Sequence, residues 1–473
     1  MISLSKENKK SPEKELKEKL FYNKKNVYQL IEDDEVKSIN TFSEDYKQFL
    51  NASKTEREAV KFALKAAEAK GFKEYKPGMG LRLGDRIFVN NRGKALILAV
   101  IGTESIENGV RINAAHIDSP RLDLKQCPVY EDNEIALFKT HYYGGIKKYQ
   151  WTAIPLALHG VVVLIDGTQV EVNIGENETD PVFVISDLLP HLASEQMKKT
   201  GGNIISGEDL NIIIGSRPFK SDNESELVKL NILSILYDKY GITEEDFLSA
   251  ELEAVPAFKA QDIGFDRSMI GSYGHDDRVC AYPALRAILD TTGTPKKTAV
   301  TVLTDKEETG SDGNTGLNSS YLKYFIEDLA FEFGARGTTV LSNSECLSAD
   351  VNAAFDPTFP SVMEKKNSSY INYGVVLTKY TGARGKSGTS DASAEYTGRI
   401  RTLMNKNNVI WQTGELGKVD AGGGGTVAAY IANLNVDVID LGVPVLSMHA
   451  PYEVVAKADV YMAYRAFRVF IED

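Results

Sequence analysis

Cysteine, histidine and positive charge are all scarce in this sequence. Three cysteines in 473 residues, Cys127, Cys280 and Cys346, make no disulfide framework and no paired zinc-ligand spacing, which fits a reducing compartment. Lys and Arg number 54 against 66 Asp and Glu, for a net charge of −12. That balance argues against a nucleic-acid backbone or an anionic membrane as partner. Long apolar runs are missing too: none approaches the ~20 residues that span a bilayer. The N-terminus, Met1-Ile-Ser-Leu-Ser-Lys-Glu-Asn-Lys-Lys10, is charged where a signal peptide is apolar. A soluble, cytoplasmic protein is expected. What is present is ordinary globular composition, 42% hydrophobic and 25% charged. The length allows two domains, or one domain with a large insertion.

The first forty or so residues are rich in Lys and Glu and read as a surface helix or a mobile arm. Thr55-Glu-Arg-Glu58 forms a capping box, Val60, Ala63, Leu64 and Ala67 share one face, and Gly71 ends the pattern, which predicts a helix. Residues 94–101 and 111–115 read as strands on either side of the Asn108-Gly109 turn, and the second delivers His116 to its end. From 119 to 259 the sequence becomes polar and turn-rich, with a hairpin at 161–165 and 170–174 and a helix at 226–240. After Gly271, helix and strand alternate: helices at 277–289, 319–333, 392–404 and 426–432, strands at 298–304, 338–341 and 436–441, and a closing helix from about Val454. Such alternation implies an open α/β sheet with sites at the strand ends. The expected division is an α/β domain, residues 1–118 and 260–473, with a mixed central sheet flanked by helices. Residues 119–259 form an inserted β-rich domain.

Asp305-Lys-Glu-Glu-Thr-Gly310 stands where the apolar run 298–304 stops. Two adjacent glutamates at a strand end are costly unless a cation meets them. With a divalent metal, one carboxylate can ligate while its neighbour acts as a base toward water. Alone, such a pair is more often a solvated loop. Further ligand candidates lie at His116-Ile-Asp118, Asp276-Asp277-Arg278, Asp350 and His449, so two of only six histidines fall at predicted strand ends or loops. Imidazole with carboxylate suits zinc, and cobalt or manganese also fits. The i, i+2 spacing puts His116 and Asp118 on one side of an extended chain, where Asp118 can hold the proton on the far ring nitrogen. Each motif alone has a structural reading. The case rests on the five together.

That set resembles the aspartyl aminopeptidase family, to which the vacuolar aminopeptidases belong: two-metal exopeptidases that assemble into hollow tetrahedral particles. The motifs carrying the resemblance are His116-Ile-Asp-Ser-Pro120, Asp276-Asp-Arg278, Asp305–Gly310, Ser348-Ala-Asp350, Asp440-Leu-Gly442 and Ser447-Met-His-Ala450, in family order and nearly end to end. The resemblance implies a dinuclear-metal exopeptidase fold with an inserted dimerisation or lid domain. It implies two divalent ions, zinc first, with Asp276 bridging them. His116 and Asp350 would complete the first site, Glu308 and His449 the second. Glu307 would be the general base and Asp118 the partner of His116. His191, in Leu188-Leu-Pro-His-Leu192, resembles a segment that reaches a neighbouring subunit's site to stabilise the developing oxyanion; the other reading is a locally packed histidine. Gly424 and Gly425, within the 422–425 glycine run, would let backbone N–H groups approach substrate; otherwise the run is a connector.

The expected activity is removal of N-terminal residues from peptides with a free N-terminus. An acidic preference would rest on Arg384 or Lys386, in a stretch that departs from the family's usual wording, and both are equally read as solvated loop charges. A neutral, leucine-type preference, a metallo-amidase or deacylase, and a catalytically idle scaffold are the alternatives. The resemblance also implies a homododecamer, while the negative charge leaves no nucleic-acid or membrane partner expected.

Overall fold

Four β-rich runs form the parallel centre of a nine-stranded sheet in the computed structural model, which describes residues 11–221 and 224–473. In spatial order they are Ala299–Thr304, Arg111–His116, Glu345–Ala349 and Asp437–Gly442. Every residue of the first two is buried, as expected of parallel strands covered on both faces. Thr304 lies opposite His116 and Ala349 opposite Ala115, so three neighbouring strands run out at one level. Antiparallel strands Ala95–Val100 and Val375–Thr378 flank this centre.

Side chains alternate across the sheet into two cores. Leu96, Leu98 and Val100 pack beneath helices Glu56–Ala69, His275–Leu289 and Lys457–Glu472. Ile97, Ala99 and Ile101 face helices Tyr321–Glu332 and Ala428–Ala432. The capping box at Thr55 and Glu58 is formed as predicted.

Three elements differ from the sequence reading. The N-terminal segment is more than a surface arm: Pro12–Leu20 is an exposed helix, but Asp33–Ala52 is a 20-residue core helix. Its Ile39, Phe42, Tyr46, Phe49 and Leu50 form a stripe at helical spacing, and Phe42 and Phe49 pack on the Tyr282 ring. Charged residues between these positions masked the stripe. Residues 338–341, read as a strand, lie in helix Gly337–Ser342, whose Val340 and Leu341 face the sheet; the strand begins at Glu345, where it pairs with Arg111 and Asp437. At the C-terminus the strand Glu453–Ala456 precedes the last helix. The first ten residues lie outside the described ones.

A six-stranded antiparallel sheet is built wholly from residues between Arg121 and Pro256, including the predicted hairpin as Leu156–Val163 and Gln169–Ile174. It has its own core around Trp151, Leu156, Val172 and Phe247. A five-stranded sheet, holding Met269–Ser272 beside Glu453–Ala456, lies next to the Asp276 helix.

Candidate metal centre

His116 ends its strand fully buried, with Nδ1 3.1 Å from the Asp118 carbonyl oxygen and 3.3 Å from Asp118 Oδ1. Nε2 is therefore the nitrogen turned to the site. It stands 3.3 Å from Asp276 Oδ1, 3.8 Å from Glu307 Oε2 and 4.0 Å from Asp350 Oδ1. The other oxygen of Asp276, Oδ2, is 3.1 Å from His449 Nε2, which lies 3.6 Å from Glu308 Oε2. One carboxylate thus stands between two imidazoles, each backed by further acids. Donor atoms of His116, Asp276 and Asp350 lie within 4.8 Å of one another, as do those of Asp276, Glu308 and His449.

The topology makes this meeting unavoidable. His116, Asp350 and the Glu307–Thr309 turn follow three adjacent strands that end at one level. Asp276 comes from the start of the helix His275–Leu289, which packs on the face of this sheet and begins at those strand ends. Lys306 and His449 both hold left-handed backbone, φ 68° and 65°, uncommon for side-chain-bearing residues and frequent at functional sites.

Electrostatics point the same way. Burial pushes the Glu307 carboxyl up to about 7 and drives Glu308 and Asp350 well above the usual range. Asp276 goes the other way: burial raises it, but the His116 and His449 imidazoles beside it carry it below the usual range. Burial likewise lowers His449, yet Asp276 lifts it to about 10. Four carboxylates enclosed with two imidazoles want cations. The buried His116 Nε2 and Glu308 Oε1 have no hydrogen-bond partner among the described residues, as expected of atoms that ligate a metal. The donor set, nitrogen plus carboxylate oxygen with no thiolate, fits zinc.

A second layer fixes these groups. Asp118 accepts the backbone N–H groups of Glu307 and Glu308 at 3.2 Å each, and the Tyr143 hydroxyl at 2.8 Å. Glu453 accepts the N–H groups of Asp276 at 3.1 Å and His449 at 2.7 Å. The Gly145 carbonyl lies 2.7 Å from His449 Nδ1. Sequence reasoning missed Glu453, Tyr143 and Gly145. Only the Gly144-Gly145 pair carried a local signal, of close backbone approach.

All seven residues read from sequence as ligands, base or histidine partner converge: His116, Asp118, Asp276, Glu307, Glu308, Asp350 and His449. His191 does not join them. It lies on an exposed turn, with no hydrogen bond or ion pair to the cluster among the described residues. Lys386 pairs with Asp391 at 2.8 Å and lies over the Tyr380 ring, while Arg384 is exposed and unpaired among the described residues. Both line a cavity of about 170 Å³ with Glu415, Gly422 and Gly423. Gly424 donates to the Thr381 carbonyl at 3.3 Å, which ties the glycine run to the loop bearing those cations. Beyond Gly425, the Tyr430 hydroxyl donates to the Gly310 carbonyl at the end of the Glu307 turn.

Residues 49–471 match the family described as Aminopeptidase I zinc metalloprotease (M18). A probable M18 family aminopeptidase 1 from Clostridium acetobutylicum is 50% identical over 457 residues, spanning 95% of this chain and 98% of the relative. The crystal structure of an M18-family aminopeptidase from Thermotoga maritima superposes with a TM-score of 0.92 at 45% identity, covering 96% of this chain and all 100% of that one. The fold extends to a structure described as the S. cerevisiae mApe1 dodecamer, at 20% identity and TM-score 0.74, covering 92% of this chain and 97% of that one.

Proposed function

The chain belongs to the M18 family of zinc aminopeptidases, and from that premise we propose how its own residues carry the reaction. The observation that carries the reading is Asp276, with one oxygen toward each histidine. Two ions would be held there, one by His116, Asp276 and Asp350, the other by Asp276, Glu308 and His449. When bound, zinc supplies Lewis acidity, polarising the scissile carbonyl and acidifying water. Glu307, whose carboxyl is raised by burial, takes the proton of the attacking water and hands it to the leaving amine. Asp118 holds the His116 ring in place and, through two backbone N–H groups, the turn that presents Glu307.

The remaining assignments form part of the same proposal. Residues between 119 and 259 act as an inserted domain that builds subunit contacts, a role supported by their separate sheet and core. The chain self-associates, and a dodecamer is the particle we propose, after the assembly named for the distant yeast structure. His191, exposed in the single chain, would work in a neighbouring subunit's site as an oxyanion donor. Arg384 and Lys386 would receive an acidic first side chain, with Gly424 and Gly425 presenting backbone to the substrate. Among the described residues no helix is long and apolar enough to cross a membrane. We place the enzyme in the cytoplasm, where Cys127, Cys280 and Cys346 stay free thiols.

A panel of aspartyl, glutamyl and leucyl peptides, with free and acetylated N-termini and zinc added, tests the reading. Cleavage confined to free N-termini is expected, fastest for the acidic residues. Faster leucyl cleavage would discard the Arg384 and Lys386 pocket and keep the mechanism. Cleavage of acetylated substrates alone would remove the aminopeptidase assignment.

A further inference from the structure

Tyr143, at the end of a strand of the six-stranded sheet, and Gly145 just beyond it reach both halves of the candidate metal centre, through Asp118 and His449. We propose that Tyr143 is a positioning residue for the reaction: its hydroxyl fixes Asp118 while the Gly145 carbonyl fixes His449. This rests on the metal-site reading above and adds to it a working role for the second sheet.

Tyr143 ends the strand Ile135–Tyr143 and lies opposite Arg121 on the neighbouring strand. The Arg121 guanidinium is 3.9 Å from the centroid of the Tyr143 ring. Arg121 is in turn held by Asp123 at 2.8 Å, Glu253 at 3.2 Å and Glu56 at 3.3 Å. Glu56 belongs to a helix of the large sheet, so the ring is clamped from both bodies of the protein. The hydroxyl donates to Asp118 Oδ2 at 2.8 Å. Without it, that oxygen keeps, among the described residues, only the Glu308 N–H at 3.2 Å. Asp118 would then lose its shortest contact and hold the His116 ring and the Glu307 turn less firmly. Charge-assisted O–H···O⁻ bonds of this kind are among the stronger ones.

Two residues on, the Gly145 carbonyl accepts a hydrogen bond from His449 Nδ1–H, which commits Nε2 to the site. Gly144 between them has φ +76°, and a Cβ there would lie 3.1 Å from Glu308 Oε2; one on Gly145 would lie 3.4 Å from His449 Nδ1. Bare backbone is therefore laid directly against two ligand side chains. Histidine-ligand partners of this type typically change metal affinity or activity by ~10–100-fold when removed.

Tyr143→Phe keeps the ring and removes the hydroxyl. Zinc affinity, by competition with a chromogenic chelator, should fall about 10-fold, and kcat by about 10–100-fold with KM little changed. Gly144→Ala, which crowds Glu308, should lower zinc affinity by a comparable factor while the circular dichroism stays native. Tyr396→Phe is the control: it removes another buried hydroxyl, one that donates to the Cys346 carbonyl at 3.0 Å. It should lower melting temperature without altering zinc affinity or kcat. Wild-type zinc affinity and kcat in Tyr143→Phe would overturn the inference and leave the metal-site reading standing. Failure of the wild type to bind zinc would bring down that reading, and the inference with it.

Discussion

At the residue scale, neighbouring acids are given different work by what surrounds them. Glu307 and Glu308 are adjacent, and both backbone N–H groups rest on Asp118. The Glu308 side chain turns toward His449, whereas that of Glu307 turns toward His116. Glu307→Gln keeps the shape and removes the basicity. We expect kcat to fall by several orders of magnitude while zinc content, by atomic absorption, stays at the wild-type level. Retained activity would remove Glu307 as the base. Glu453 bears on the ligands from behind, through the backbones of Asp276 and His449. Glu453→Ala should weaken zinc by about 10–100-fold, the range for supporting groups of metal ligands. Unchanged zinc retention on dialysis against a chelator would show that those backbones hold without it.

At the element scale, strand ends and helix starts decide where chemistry is placed. The capping box at Thr55 and Glu58 does two jobs: it starts Glu56–Ala69 and leaves Glu58 Oε1 2.8 Å from His159 Nδ1 in the six-stranded sheet. Thr55→Ala removes the cap and should cost about 1 kcal/mol of stability in denaturant unfolding. A loss within error would mean that the Glu58 contacts hold the helix start alone. The two helices that sequence misjudged make a related point. Gly337–Ser342 is β-branched by composition, yet the sheet had no room for a strand there, since Glu345 already takes the pairing positions. The stripe of Asp33–Ala52 was present in the sequence, and its burial depended on Tyr282, which lies more than two hundred residues away.

At the scale of the whole molecule, the two larger sheets are joined by a buried polar cluster. His159 contacts Glu58 at 2.8 Å and Glu176 at 3.2 Å, and Lys54 donates to the Pro256 and Phe258 carbonyls at 2.7 and 2.6 Å. Burial lowers the His159 pKa, but its two glutamates more than compensate and leave it raised. A raised folded value means that the imidazolium's contribution is complete below the unfolded pKa of about 6.5 and fades as pH climbs through the folded one. The stability difference between wild type and His159→Gln should therefore be largest in mild acid and shrink toward alkaline pH, measured by urea unfolding across that range. A difference that grew with pH would reverse the sign. Self-association belongs to this scale too. Light scattering should give a mass many times the 52.1 kDa of one chain, and a monomeric mass would remove both the dodecamer and the role given to His191.

The chemistry on offer is legible along the chain: which side chains stand at the ends of β-rich runs, that they are nitrogen and carboxylate donors, and that an α/β sheet would carry them. Those are local properties, written in periodicity and in the residues that stop a strand. The tertiary structure decided which donors meet. His116 and His449 share Asp276 although more than three hundred residues separate them, because parallel strands end at one level and a helix packed on their face begins there. The structure alone also brought in Glu453, Tyr143 and Gly145, whose parts are played through backbone groups and a hydroxyl. No spacing rule announces such contacts, because they depend on how two sheets pack rather than on any neighbour in the chain.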